Sequence, residues 1–132
     1  MRDQNIVLGL SDFRKLFGVV NAMKSKRRAL EPHMLRLESE LALATVVDGD
    51  AAPADVVALG STVRILDLDS REERVVTVVF PAGLDGGEDK VSIFAPLGTA
   101  LIGERKGATV SCIAPRGVYW FNVLEVEPAR RE

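Results

Sequence analysis

The sequence predicts an α+β fold in which a short N-terminal antiparallel helical hairpin precedes an antiparallel sheet with one short helix. Apolar residues in the first third recur at helical spacing, whereas those beyond about residue 60 alternate as in strands. Between these parts, residues 48–58 combine Gly and Pro with small residues and acids and follow neither period, as a linker does. We therefore expect the hairpin over residues 1–47, a linker over 48–58 and the sheet-containing rear segment over 59–132.

Length and composition indicate a single soluble domain, or one domain with a small appendage. The chain has 132 residues, of which 47% are hydrophobic and 27% are charged. The apolar runs are all far shorter than the roughly 20 residues of a membrane span, and residues 1–30 lack the apolar core of a signal peptide. The single Cys112 rules out a disulfide framework. We expect a cytoplasmic protein.

Charge divides the chain in the same place as periodicity. Residues 1–45 carry a net charge of +3 and residues 46–132 a net charge of −5. A basic front and an acidic rear suggest two parts with different partners.

Two helices are predicted in the front part. The first begins near Ser11, a natural N-cap, and Gly18 within it is expected to mark a close contact with another backbone. The second begins at Pro32, which suits a first helical position. Their apolar stripes follow helical and heptad spacing, the latter typical of a coiled coil, and comprise Phe13, Leu16, Phe17, Val20 and Met23 in the first helix and Leu30, Met34, Leu37, Leu41 and Ala44 in the second.

Five strand-like stretches are predicted in the rear segment, over residues 61–68, 72–80, 90–95, 108–114 and 117–126. The turns between them, at 69–71, 82–89 and 115–117, predict antiparallel pairing. A helix of about two turns begins at Pro96 and closes at Gly103. Leu97 and Leu101 are expected to cover one face of the sheet, since an antiparallel sheet needs only one covered face.

The rear segment resembles the C-terminal domain of the Gre transcript-cleavage factors. The stretches that carry the likeness are "LGSTVRILDLDSREE", "APLGTALIGERKGATV" and "GVYWFNVLEVE". Gre factors have a longer hairpin, and the short one here resembles the Rnk family, regulators of nucleoside diphosphate kinase. The resemblance implies a C-terminal fold like that of FK506-binding proteins. It also implies attachment to bacterial RNA polymerase at its secondary channel.

Candidate binding residues follow from this resemblance. In Gre factors the loop that opens the short helix belongs to the polymerase-docking surface, and that role carries over to Ala95, Pro96, Leu97 and Gly98. The likeness also places Phe121 on the face that the helix covers, so alternation puts Trp120 on the more open face. Trp is enriched among interface anchors. Trp120 is therefore a further candidate contact, although it is equally able to pack over the hairpin.

The hairpin tip departs from the Gre pattern. Gre factors carry acidic tip residues that help to hold a metal ion in the polymerase active centre. Here the tip has one carboxylate, Glu31, among the four cations Lys24, Lys26, Arg27 and Arg28. Divalent ions favour carboxylate oxygens, and neighbouring cations oppose them. We therefore expect no stimulation of cleavage; the cations are either a solvated turn or a contact for acidic or nucleic-acid surfaces.

Enzyme chemistry is not expected. His33 is predicted to be a solvated residue at a helix start and Cys112 a core residue, so they do not form a nucleophile–base pair. The acidic turns lack the spacing of a calcium loop, so neither metal nor cofactor is predicted. The expected function is polymerase-bound regulation of transcription, in competition with Gre factors. Two alternatives stay open: a regulator of nucleotide metabolism that acts on another protein, and a prolyl-isomerase-like binding module.

Overall fold

The computed structural model describes residues 5–25, 30–48, 52–80 and 89–129 and confirms the α+β class. In chain order the elements are β1 (Val7–Gly9), α1 (Leu10–Ser25), α2 (Pro32–Leu43), β2 (Thr45–Val47), β3 (Thr62–Asp67), β4 (Glu73–Val79), β5 (Lys90–Ser92), α3 (Pro96–Leu101), β6 (Thr109–Ala114) and β7 (Gly117–Glu127). The predicted hairpin supplies α1 and α2, and the rear segment supplies β3 to β7 with α3.

Strands β3 to β7 form a five-stranded sheet with the order β5-β4-β3-β7-β6. The contacts of β3 with β4, β3 with β7 and β6 with β7 are antiparallel, as predicted. The expectation of a fully antiparallel sheet is wrong at one edge, because β5 runs parallel to β4. Parallel neighbours need a connection that returns along the strand, which a tight turn between antiparallel strands does not provide. The turn predicted over 82–89 lies almost wholly outside the described residues.

The two faces of this sheet differ in chemistry. One face is buried and apolar, and its members are Val63, Ile65, Val76, Val78, Val110, Cys112, Phe121 and Val123. The other face carries exposed apolar residues, Val75, Val118 and Trp120, beside polar pairs. Thr62 Oγ1 lies 2.9 Å from Thr77 Oγ1, and Arg64 lies 2.9 Å from a carboxylate oxygen of Glu73. The alternation therefore separates a core face from a solvated face, as the sequence indicates.

Helix α3 covers the apolar face with its buried residues Leu97, Ala100 and Leu101. Gly98 sits where α3 comes closest to β5: a Cβ there would overlap the carbonyl oxygen of Ser92 and lie 2.9 Å from Ile93 Cα. The helix ends before Gly103, whose φ of +77° suits glycine. The spacing of Pro96, Gly98 and Gly103 thus sets the length of α3 and its distance from the sheet.

The hairpin contributes its predicted apolar stripes to the core. Leu16 and Val20 of α1 are buried, as are Met34, Leu37 and Leu41 of α2. Two details differ from the prediction. Phe17 is exposed and stacks on Phe13, with 5.6 Å between the ring centroids. A Cβ at Gly18 would have nothing within 4 Å, so the expected close backbone contact there is wrong.

A second, two-stranded parallel sheet joins β1 to β2 and was not predicted. Strands of three residues are too short to display a period of two. The N–H of Val7 donates to the carbonyl of Gly103 (3.0 Å), and the N–H of Thr45 donates to the carbonyl of Ile6 (2.9 Å). This small sheet therefore attaches both ends of the hairpin to the loop that follows α3.

One hydrophobic cluster contains buried residues from both sides of the predicted linker. Val56 and Val57, within the predicted linker, are themselves buried. The N–H of Leu59 donates to Asp12 Oδ2 at 3.0 Å, which connects α1 directly to the start of the rear segment. The division at 48–58 stays a prediction, but the two parts share a core. Among the described residues, no helix is long and apolar enough to cross a membrane.

Substitution of Gly98 by Ala is expected to lower the free energy of unfolding by about 3 kcal/mol, because the new Cβ meets backbone that has no room to move. Gly18→Ala is the matched control and is expected to raise it by about 1 kcal/mol, since Gly18 is helical and its surroundings are open. Urea denaturation followed by circular dichroism measures both. A Gly98→Ala protein as stable as the parent contradicts the close approach of α3 to β5.

Candidate functional site

The loop that opens α3 is a rigid helix start. The N–H of Ala95 donates to the carbonyl of Ser92 at 3.0 Å, and the N–H of Thr99 donates to the carbonyl of Ala95 at 3.0 Å. Thr99 Oγ1 also donates to the carbonyl of Pro96 at 2.9 Å. These bonds connect the first turn of α3 to the end of β5 and define the shape of the surface at this point.

Only part of the predicted docking loop presents side chains to solvent. Ala95 and Pro96 are half-buried. Leu97 is 9% exposed and belongs to the core, and Gly98 is buried against β5. A partner at this loop would meet Ala95 and Pro96 directly, whereas Leu97 and Gly98 are buried behind them.

Aromatic packing supports the loop from beneath. The rings of Phe80 and Phe94 meet edge to face, with 6.2 Å between their centroids. The N–H of Phe94 donates to Ser92 Oγ at 3.0 Å, and its carbonyl lies 2.8 Å from His33 Nε2. Because a carbonyl only accepts, His33 Nε2 carries the proton and donates it to this bond.

The expectation that His33 is solvated is wrong. It is 5% exposed, since the first turn of α2 lies against the loop between β5 and α3. The signal that was missed is its position one residue before Met34, at the start of the buried stripe. Sequence spacing alone does not reveal this burial, because the partner of His33 is 61 residues away.

Trp120 lies on the other face of the sheet from α3. Its neighbour Phe121 is buried on the covered face, and Trp120 itself is 47% exposed. The carbonyl of Trp120 accepts from the N–H of Leu68 at 2.9 Å, which holds the main chain of β7 at this point. Val118, two residues away on the same face, is exposed as well. The structure therefore does not bring Trp120 together with the Ala95–Pro96 loop on one face.

The basic tip is described only at its first residue. Lys24, near the end of α1, forms an ion pair of 2.5 Å with Glu38 of α2, and both side chains are partly exposed. Lys26, Arg27 and Arg28 lie outside the described residues. Glu31, across the tip, is exposed and has a carboxylate oxygen 3.6 Å from His33 Nδ1.

Cys112 is buried on the covered face of β6, as predicted, and burial raises the pKa of its thiol. A thiol in this state is a weak nucleophile. Across residues 5–25, 30–48, 52–80 and 89–129, no group of three or more His, Cys, Asp or Glu side chains is arranged to hold a metal ion. The features that stand out are surfaces: a rigid loop at α3 and an exposed tryptophan on β7.

Comparison with known proteins identifies the family to which this arrangement of sheet and helix belongs. Residues 52–128, which hold β3 to β7 and α3, match the family described as transcription elongation factor, GreA/GreB, C-terminal. The transcription elongation factor GreA of Azorhizobium caulinodans is 34% identical over 106 residues, which cover 80% of this chain and 68% of that protein. GreA of Streptococcus sanguinis is 38% identical over 106 residues, which cover 80% of this chain and 66% of that protein. This chain thus spans about two thirds of these relatives' length.

Solved structures agree with the sequence matches. A prokaryotic transcription elongation factor GreA/GreB from Nitrosomonas europaea superposes with a TM-score of 0.73 at 33% identity, covering 96% of this chain and all of that one. GreA factor homolog 1 of Thermus thermophilus, at 22% identity and a TM-score of 0.50, shares the fold over 95% of this chain and all of that one. From the match over residues 52–128 and the identity to GreA, the chain belongs to the GreA/GreB family of transcription elongation factors.

Proposed function

We propose that this protein binds bacterial RNA polymerase and regulates transcription without being an enzyme itself. The observation that carries the proposal is the family match over residues 52–128, which includes the whole sheet, α3 and the rigid loop at Ala95 and Pro96. In the Gre resemblance this loop belongs to the docking surface. Docking at the secondary channel, in competition with Gre factors, is the mode that this resemblance favours.

The hairpin supports a narrower assignment to an Rnk-like branch of the family. Helix α1 has 16 residues and α2 has 12. At about 1.5 Å per residue the second helix spans roughly 18 Å, which is short for an arm that must reach an enzyme's interior. The covering of a curled sheet by α3 is consistent with a fold like that of FK506-binding proteins.

The charge of the tip supports the absence of cleavage stimulation. Stimulation by Gre factors uses acidic tip residues, whereas Lys24, Lys26, Arg27 and Arg28 dominate this tip. The carboxylate of Glu31 lies beside His33, and Glu38 is paired with Lys24. Cations at this position suit an anionic surface, either acidic side chains or nucleic-acid phosphates.

Pro96→Arg is expected to weaken binding to polymerase because it places a bulky charge on the exposed part of the loop, while Pro96→Ala, the control, keeps the surface small.

Trp120→Ala tests the opposite face of the sheet and is expected to lower affinity about 30-fold or more if Trp120 is an interface anchor. Fluorescence anisotropy with purified polymerase measures affinity, and thermal melts check folding. Parent-like binding by both Pro96→Arg and Trp120→Ala contradicts the assigned docking residues.

Transcript cleavage is expected to stay at its intrinsic rate when this protein is added to backtracked elongation complexes. The physical reason is that the cationic tip repels a divalent ion instead of helping to hold it. RNA length is followed over time on a denaturing gel, with a GreA protein as the positive control. Cleavage as fast as that produced by GreA shows that the proposed absence of this activity is incorrect.

Replacement of Lys24, Lys26, Arg27 and Arg28 by Ala is expected to reduce polymerase affinity at low salt and to flatten its salt dependence. Fewer cations release fewer ions on binding to an anionic surface, so the slope of log affinity against log salt becomes shallower.

The charge-matched control for the tip replaces four exposed cations of the rear segment, Arg64, Arg105, Lys106 and Arg116, by Ala. Two of these cations form ion pairs, Arg64 with Glu73 and Lys106 with Glu125. Both pairs are exposed and contribute little to stability. This control is expected to keep the parent's salt slope. If the slope of log affinity against log salt is equal for the parent and the tip variant, the four cations do not contact polymerase and the cluster is a solvated turn.

A further inference from the structure

We infer that His33 and Arg36 are positioning residues that fix the orientation of the hairpin relative to the sheet-containing segment. Both lie on α2, three residues apart, which places them one turn apart on the same face of the helix. Both donate hydrogen bonds to main-chain oxygens of the rear segment, His33 to Phe94 and Arg36 to Ser111.

The first contact joins α2 to the base of the docking loop. His33 Nε2 donates to the carbonyl of Phe94 at 2.8 Å, and Phe94 directly precedes Ala95. The imidazole is almost wholly buried, and the bond itself is part-buried. A carbonyl that loses its donor at such a site costs free energy. The orientation of α2 that keeps this bond is therefore strongly preferred.

The second contact joins α2 to the free edge of the sheet. Strand β6 lies at the edge of the sheet, so one side of its main chain has no neighbouring strand among the described residues. Arg36 Nη1 donates to the carbonyl of Ser111 at 2.6 Å and to Ser111 Oγ at 2.8 Å. Its Nε lies 3.6 Å from a carboxylate oxygen of Glu40, one turn along α2. The guanidinium is thus held between its own helix and the sheet edge.

Two directional contacts one turn apart constrain the rotation of α2 more tightly than the apolar packing beside them does. Burial of Met34, Leu37 and Leu41 holds α2 against the rear segment, but burial is non-directional and tolerates rotation of the helix. Hydrogen bonds to Phe94 and Ser111 depend on angle as well as distance. The main-chain bonds of β1 and β2 and the bond from Leu59 to Asp12 hold the ends of the hairpin, and His33 and Arg36 add the contacts that fix the rotation of α2 between them.

The functional consequence rests on the proposed polymerase docking. The Ala95–Pro96 loop and the hairpin would be two contacts on one partner, and a rigid connection between two contacts raises the effective concentration of the second. Loosening this connection is expected to weaken polymerase binding even when both contact surfaces are unchanged.

The experiment measures the distance between spin labels at Ser39→Cys on α2 and Arg116→Cys in the β6–β7 turn, both exposed positions. Cys112 is replaced by Ala to confine labelling to these sites. In the full chain, pulsed electron paramagnetic resonance is expected to give one narrow distance distribution. The variant His33→Leu/Arg36→Met is expected to give a broader, shifted distribution at a temperature where circular dichroism shows it folded.

Two variants keep the test specific. His33→Gln retains an N–H donor and is expected to keep the parent's distribution, as is Lys106→Ala, which removes an exposed ion pair away from α2. If His33→Leu/Arg36→Met does not fold, the single variant Arg36→Met takes its place. A folded variant without these donors that keeps the parent's narrow distribution overturns the inference.

Polymerase affinity, measured in parallel, separates this inference from the proposed function. A folded His33→Leu/Arg36→Met variant is expected to bind about tenfold or more weakly than the parent, through the lost effective concentration. Failure of the parent to bind polymerase overturns the proposed function, and the distance distributions then decide the positioning role alone. A broadened distribution with parent-like affinity shows that orientation is fixed but that polymerase does not use it, which overturns the functional consequence.

Discussion

The close approach of α3 to β5 at Gly98 positions the core residues of the helix, the surface loop before it and the contact with the hairpin. With no side chain at Gly98, the helix rests directly on the main chain around Ser92. That contact brings Leu97 and Leu101 into the core and leaves Ala95 and Pro96 at the surface. The same loop presents the carbonyl of Phe94 to α2. Helix α3 and the loop before it therefore contact both the sheet and the hairpin and carry the exposed residues between them.

The candidate site is a supported surface rather than a pocket, and this suits a protein whose relatives are transcription elongation factors. Hydrogen bonds of Thr99 and Ala95 fix the loop before any partner arrives. A preformed surface loses little conformational entropy on binding. The hairpin adds a second surface of different charge, and we propose that the two parts of the chain meet a partner in chemically different ways.

Much of the rear segment was predictable from sequence because its signals are local. Alternation along β7 placed Phe121 and Trp120 on opposite faces, and Pro96 and Gly103 bounded the short helix. Features that depend on distant partners were not predictable. Strand periodicity carries no direction, so the parallel β5 was missed, and β1 and β2 are too short to show a period.

The candidate site was predictable in position but not in its details. The family resemblance led to the loop at residues 95–98, and Leu97 was predicted to cover the sheet, yet only the contact with β5 shows that Gly98 is buried as well. The burial of His33 depends on a carbonyl 61 residues away, and the contact of Arg36 depends on a free sheet edge. The residues next to His33 and Arg36 in the sequence form no pattern that indicates either partner.

We propose that this protein occupies the polymerase site that Gre factors use. Displacement of fluorescently labelled GreA from purified RNA polymerase by increasing amounts of this protein tests that proposal. We expect complete displacement, with an apparent GreA affinity that falls in proportion to the concentration of the competitor. A ternary complex in which polymerase holds both proteins at once, with GreA affinity unchanged, would contradict it.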